Sequence, residues 1–351
     1  MKLGFGIYRH QITDDQLHFA RQCGATHVVV HLVDYFNQGR ANQRTDQPLG
    51  DLHGWGVAGD PDKLWSVEEL RAIKQQIESH GLVWEAVENF DPAHWHDVLL
   101  DGPKKAQQLE NCRTIIRRLG EIGIPVMGYN FSLAGVAGRI KGPFARGGAE
   151  AVGMDGPVND PVPAGMVWNM WYDTKQHGTM PATTSEQLWQ RCQDFLNAVL
   201  PVAEQAGVKL AAHPDDPPLP TIRSQPRLVY QPALYDKLIA LNPSPANCLE
   251  FCCGTIAEMS EGDLYASLER YAGRIAYVHL RNVHGKVPHY RETFIDDGDI
   301  DVARVLRVLQ KKKFDGVIIP DHAPQMTCAA PWHAGMAFAM GYLKAKLEEV
   351  K

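Results

Sequence analysis

Short apolar runs alternate with amphipathic helical patterns eight times along the chain, and this alternation restricts the fold more than any single motif does. Strand candidates occupy 3–8, 27–32, 83–88, 126–131, 209–213, 248–253, 275–282 and 316–321. Helical patterns follow near 14–23, 66–80, 104–122, 185–206, 232–241, 263–272, 300–312 and 335–349. Neighbouring parallel strands need a crossover, usually a helix. Eight strand-then-helix units therefore predict an α/β protein, a closed (β/α)8 TIM barrel rather than an open doubly wound sheet. Neither a dinucleotide fingerprint nor a phosphate-binding loop supports the open sheet. Thr13, Ser66 and Thr184 each stand three residues before Gln16, Glu69 or Gln187, as capping boxes require. Gly24, Gly81, Gly123, Gly207 and Gly273 mark helix ends just ahead of strands.

The connections are unequal. Those leading into strands are short, whereas those leaving strands (33–65, 89–103, 132–184, 214–231 and 283–299) are long. In a barrel of this kind the long ones gather on the C-terminal face, where active sites are built. The 132–184 stretch is rich in Gly and Pro but carries Trp168, Trp171 and Tyr172. It is expected to be a lid-like or interface insertion in a single domain spanning 1–351, and a natural contact in a homo-oligomer. With 35 basic against 41 acidic residues and a net charge of −6, the surface offers no electrostatic reason for a nucleic-acid or anionic-membrane partner. No apolar run reaches the ~18 residues of a membrane span. Met1 to Gly6 runs directly into a strand rather than a signal-peptide core. Seven scattered cysteines form no disulfide framework, which predicts a reduced, cytoplasmic setting.

The chemistry is expected where polar residues end apolar strands. His213 ends the fifth, Cys252 lies near the end of the sixth, His279 lies late in the seventh and Asp321 ends the eighth. An unpaired polar group at such a position is costly. Side chains alternate along a strand, so Tyr277, His279 and Arg281 share one face, as do Glu250, Cys252 and Gly254. If that face points inward, two imidazoles, a thiolate and a carboxylate meet at the barrel mouth, a donor set suited to a divalent transition metal. Taken singly, a strand-end His is more often a hydrogen-bonded wall residue, and a Cys a small buried hydrophobe. Four at matching heights reverse that weighting. Cys253 should face the helices. His322 would lie at the rim as an acid or base. Arg281 either clamps a substrate carboxylate or forms an internal ion pair. Tyr8, Arg9, Glu88 and Asn130 end other strands and are candidate sugar-hydroxyl contacts. Asp215 and Asp216 either orient His213 or cap a turn. His10, His31 and His289 read as wall or surface residues.

At these residues the chain resembles the mannonate dehydratase family. The segments that carry the resemblance are His213-Pro214-Asp215-Asp216-Pro217-Pro218, Ser244 to Asn247 with Phe251-Cys252-Cys253-Gly254, Val278 to Asn282, Phe294 to Asp301, and Pro320-Asp321-His322. The similarity is strongest from about 205 to 322. It implies a xylose-isomerase-like barrel that dehydrates D-mannonate, a sugar acid of hexuronate catabolism, to 2-keto-3-deoxy-D-gluconate. It also implies a divalent metal, typically Mn2+, on His213, Cys252, His279 and Asp321, with His322 catalytic. Ligand chemistry alone suits Fe2+ or Zn2+ as well. The family's catalytic tyrosine, usually in a short motif after the PDH segment, is absent from Ala330 to Gly335, where His333 is the candidate replacement. An isomerase or epimerase on the same scaffold, or a non-catalytic sugar-binding homologue, are the alternative readings.

Overall fold

The computed structural model describes residues 1–35 and 54–350. Eight parallel strands close into a barrel: β1 (Lys2–Tyr8), β2 (His27–His31), β3 (Val83–Glu88), β4 (Val126–Tyr129), β5 (Lys209–Ala212), β6 (Asn247–Cys252), β7 (Ile275–His279) and β8 (Val317–Ile319). Each pairs with the next in sequence, and β8 closes onto β1 through Lys2↔Val317 and Leu3↔Ile318. The outer helices are α1 (Asp14–Gln22), α2 (Val67–Ser79), α3 (Lys105–Glu121), α4 (Ser185–Ala206), α5 (Leu234–Leu241), α6 (Leu264–Tyr271), α7 (Val302–Lys311) and α8 (Pro331–Glu349). The (β/α)8 barrel expected from the alternation is thus the observed architecture. Most of the 33–65 connection lies outside the described residues.

Local chemistry explains the boundaries. The hydroxyls of Thr13, Ser66 and Thr184 accept from the backbone N–H groups of Gln16, Glu69 and Gln187, and at Thr184 the reciprocal half of the capping box is also made. Gly207 ends α4 at φ 68°, the left-handed conformation in which a Cβ is disfavoured. Gly273, by contrast, falls inside a 3-10 turn before β7.

Strand alternation then divides the core in two. Val28, Val30, Val87, Met127, Leu249, Phe251, Cys253, Val278 and Ile318 belong to the large apolar layer shared with the helices. Val29, Ala86, Val126, Ala211, Val317 and Ile319 form a separate cluster inside the barrel. The interior positions one pleat further on, towards the strand ends, are Glu88, Glu250 and Cys252, all buried. Strand polarity therefore carries the polar layer to the C-terminal mouth.

Three elements were not expected. A helix at Pro92–Leu100 starts on Asp91, whose carboxylate accepts from Ala93 N at 2.9 Å. Cys253–Glu258 forms a short helix directly after β6. β7 stops at His279, and Asn282–Lys286 turns instead into an antiparallel sheet with His289–Thr293, Ala149–Asp155 and Ile140–Ala145. The 132–184 stretch supplies two of those four strands. Residues of it, Arg139, Lys141, Glu150 and Trp168 among them, wall the cavity at the barrel mouth.

Candidate metal centre and its cavity

His213, Cys252 and His279 each place one donor atom so that all three lie within 4.8 Å of one another. The reason is register: Cys252 pairs directly with His279 across β6 and β7, and His213 follows β5, its N–H bonded to Tyr129 O at 2.9 Å. Asp321, two residues beyond β8, adds its Oδ1 at 3.6 Å from His279 Nδ1 and its Oδ2 at 3.9 Å from Cys252 Sγ. Both ring nitrogens of His279 are buried and make no well-aligned hydrogen bond, the nearest carboxylate oxygens standing 3.2 to 3.6 Å away. The four side chains reached by strand position thus converge, and Cys253 faces the helices, as alternation requires.

Electrostatics prepares the set. Burial alone would push the Cys252 thiol up, but the Arg281 guanidinium and the His213 and His279 rings beside it bring it down to about 5. Burial likewise opposes ionisation of Asp321, yet His322, His279 and Arg281 hold it well below the usual carboxylate range. Beneath His279 lie two carboxylates, Glu250 at 3.2 Å and Glu88 at 3.3 Å from Nε2. Burial and the Glu88 charge push Glu250 up, whereas His31 and His279 overcome burial and hold Glu88 down. A histidine ligand whose far nitrogen faces a carboxylate is fixed in ring orientation and tautomer.

Arg281 resolves the choice left open by the sequence. It is 2% exposed, and its guanidinium lies 2.6 Å from Asp321, 2.8 Å from Asp216 and Glu258, 3.3 Å from Glu292 and 3.2 Å from Cys252 Sγ. The clamp expected for a substrate carboxylate therefore grips the protein's own anions, though the side chain still borders the cavity. Gly254 makes this possible, because a Cβ there would lie 2.7 Å from Arg281 Nε. Asp216 is held by Arg139, Arg281 and the Thr255 hydroxyl, and Asp215 accepts from Leu228 N and Val229 N at 2.8 Å. This acidic pair braces the loop after β5.

One cavity opens over these groups, lined among others by Tyr8, His31, Tyr35, Glu88, Asn130, Arg139, His213, His279, Glu292, Asp321 and His322. His322 sets Nδ1 3.0 Å from Glu292 and Nε2 3.1 Å from Asp321. Two expected site residues lie elsewhere. Arg9 is not in the cavity. β1 ends at Tyr8, which lines the cavity, and Arg9 opens a 3-10 turn that carries it outward, where it pairs with Glu69 at 2.6 Å with 41% of its side chain exposed. His333 is not there either. It faces α1 from the first turn of α8, bonded to Gln16 Oε1 at 3.2 Å and packed edge-on against Phe19, while the adjacent Trp332 reaches the cavity instead. The sequence reading left out Tyr35, Arg139 and Glu292. Glu292 arrives on the antiparallel sheet, whose pairing spans more than a hundred residues, so no local pattern points to it.

A family model described as D-mannonate dehydratase (UxuA) matches residues 1–139 and 172–342. The mannonate dehydratase of Bacillus subtilis (strain 168) is 30% identical over 300 residues, covering 76% of this chain and 80% of that protein. That of Oceanobacillus iheyensis is 29% identical over 294 residues, 79% of each chain. Among solved structures, the mannonate dehydratase from Streptococcus suis serotype 2 aligns with a TM-score of 0.76 at 25% identity, over 100% of this chain and 93% of that one. An L-ribulose 3-epimerase aligns with a TM-score of 0.55 at 14% identity, over 99% and 95% of the two chains, a likeness of fold alone. The stretch the family model leaves out, 140–171, contains the hairpin that walls the cavity with Lys141 and Glu150.

Proposed function

The chain belongs to the D-mannonate dehydratase family, and from that premise we propose that His213, Cys252, His279 and Asp321 hold a divalent cation, Mn2+, at which D-mannonate loses water to give 2-keto-3-deoxy-D-gluconate. The observation that carries this reading is the meeting of three donor atoms within 4.8 Å, with the Asp321 carboxylate beside them. The two acidic ligands fit a dication, since the thiol is held at about 5 and Asp321 is held as its anion, whereas the surrounding anions raise His213 to about 9 and His279 well above the usual imidazole value, so the cation takes the place of their protons.

The C2 proton of an aldonate is weakly acidic, and its removal throws charge onto the carboxylate. The cation would supply Lewis-acid stabilisation of that charge. The protein's own groups do the rest. Arg281 holds Asp321 through Oδ2, which leaves Oδ1 towards His279 and His322. Glu88 and Glu250 hold the His279 ring from below. His322, between Glu292 and Asp321, carries one of the two proton transfers of the elimination. Tyr8 and Asn130, on the cavity wall, bind substrate hydroxyls. The hairpin of Ile140–Ala145 and Ala149–Asp155 serves as the cover that keeps water from the charged intermediate.

The test is release of a 2-keto-3-deoxy acid from D-mannonate, with metal content measured on the same sample. Chelation should abolish turnover, Mn2+ should restore it, and Cys252→Ser should lower both metal content and kcat. Full turnover by metal-free protein would refute the reading.

A further inference from the structure

Dehydration requires two proton transfers, and His322 accounts for one. His333 faces the outer helices, so the second group has to come from another part of the cavity wall. At the ends of β2 and β3, across the ring from Cys252 on β6, a relay of polar side chains borders that cavity. The Tyr35 hydroxyl lies 3.1 Å from His31 Nδ1 and accepts a hydrogen bond from Asn89 Nδ2 at 3.1 Å. His31 Nε2 lies 3.5 Å from the Glu88 carboxylate. A carboxylate facing Nε2 selects the tautomer protonated there, which makes Nδ1 the acceptor for the phenol proton. The Tyr35 hydroxyl then donates to His31 and accepts from Asn89, which leaves one lone pair unused on a side chain that lines the cavity. An oxygen backed by an imidazole that is itself backed by a carboxylate has the arrangement of an activated hydroxyl.

We propose that Tyr35 takes the C2 proton of the aldonate while passing its own hydroxyl proton to His31, with Glu88 facing the imidazolium that results. This rests on the dehydratase reading above. In the step, the C2–H bond breaks as an O–H bond forms on Tyr35. The old Tyr35 O–H bond breaks as an N–H bond forms at His31 Nδ1, and the C–H electron pair moves onto the substrate carboxylate as an enediolate. The C3–O bond then breaks, and the hydroxyl leaves as water on a proton from His322. The enol that remains takes a proton at C3 from the Tyr35–His31 pair, and its own O–H proton restores His322. No oxidant or other reactant is consumed. Tyr35 is the catalytic residue of this relay, and His31 is a positioning residue that acts through it.

The experiment compares metal-loaded wild type with Tyr35→Phe, His31→Asn and the double variant. Phenylalanine keeps the ring contacts of Tyr35 with Trp55 and Trp168 at 5.2 and 5.6 Å between centroids. Tyr35→Phe should lower kcat on D-mannonate by at least about 10²-fold, with metal content unchanged and KM within about threefold. His31→Asn should show a similar loss, and the double variant should be no worse than the poorer single, because the two residues act as one unit. On 3-deoxy-3-fluoro-D-mannonate, whose fluoride leaves without a proton, Tyr35→Phe should be equally impaired. A kcat within about threefold of wild type overturns the proposal; so do additive losses, or recovery on the fluoro substrate, which would make Tyr35 the acid. A wild type that is fully loaded and folded yet leaves D-mannonate unchanged overturns the dehydratase reading instead.

Discussion

Gly128 sits on the inner face of β4, and a side chain there has nowhere to go. The Cβ of an alanine would lie 2.7 Å from Glu250 Oε2, closer still to the Tyr277 hydroxyl, and 3.5 Å from Glu88 Cα. Ordinary contact begins near 3.4 Å, so the Glu250 carboxylate alone must retreat by about 0.7 Å. Glu250 and Tyr277 are both 0% exposed, and neither can retreat into solvent. Overpacking of this kind costs about 1–3 kcal/mol. Replacing glycine by alanine within a strand returns only about 0.5–1 kcal/mol of backbone entropy. At ~2.1 cal/mol/K per residue, the unfolding entropy of a 351-residue chain is about 0.7 kcal/mol/K. A net loss of about 1–2 kcal/mol then lowers Tm by about 1–3 °C. Because Glu250 lies 3.2 Å from His279 Nε2, the same displacement should also weaken metal binding. Calorimetry of the metal-free protein and a metal titration of Gly128→Ala check the two effects. The matched control is Gly341→Ala on α8, where a Cβ meets nothing within 4 Å and alanine should stabilise the helix slightly. A Gly128→Ala protein as stable as wild type, with unchanged metal affinity, would refute so tight a barrel interior.

Two more outcomes follow from the buried ion cluster. Arg281→Met removes a cation shared by Asp216, Glu258, Glu292 and Asp321, and should destabilise the fold by about 3–5 kcal/mol in urea unfolding. Losses below about 1 kcal/mol would show that these carboxylates are neutralised by protons rather than by the guanidinium. Asp216 gives a pH signature. Burial opposes its ionisation, but Arg139 and Arg281 depress its pKa below the usual value, so its contribution to stability is complete above the unfolded pKa near ~3.9 and is lost as pH falls through the folded one. Unfolding free energy should therefore drop below about pH 4, and Asp216→Asn should flatten that part of the profile while lowering stability at pH 7.

Much of the architecture could be read from the chain because it depends on local rules. The eight barrel strands and eight outer helices begin and end within a few residues of the positions their periodicity, hydroxyl caps and end glycines predicted. Where those rules fall silent, the reading failed for identifiable reasons. The helix at Pro92–Leu100 is buried on every side from Pro92 to Leu99, so it carries no apolar stripe to detect. The antiparallel sheet joins His289–Thr293 to Ala149–Asp155, and pairings of that span leave no trace in a short window. Arg9 was misplaced because a strand-end position alone does not say which way the next residue turns.

Alternation along β6 and β7 and the ordering of the strands were enough to bring His213, Cys252, His279 and Asp321 to one rim, because a two-residue pleat and a parallel register are properties of sequence order. What lies around those four was decided by tertiary structure alone. Arg281 grips Asp321 and its neighbours, His31 stands behind the Tyr35 hydroxyl, and Glu292 reaches His322 from a sheet built across distant segments. Side chains from different loops meet only after the barrel has closed, and it is their distances, a few ångströms either way, that separate an ion pair from a substrate contact.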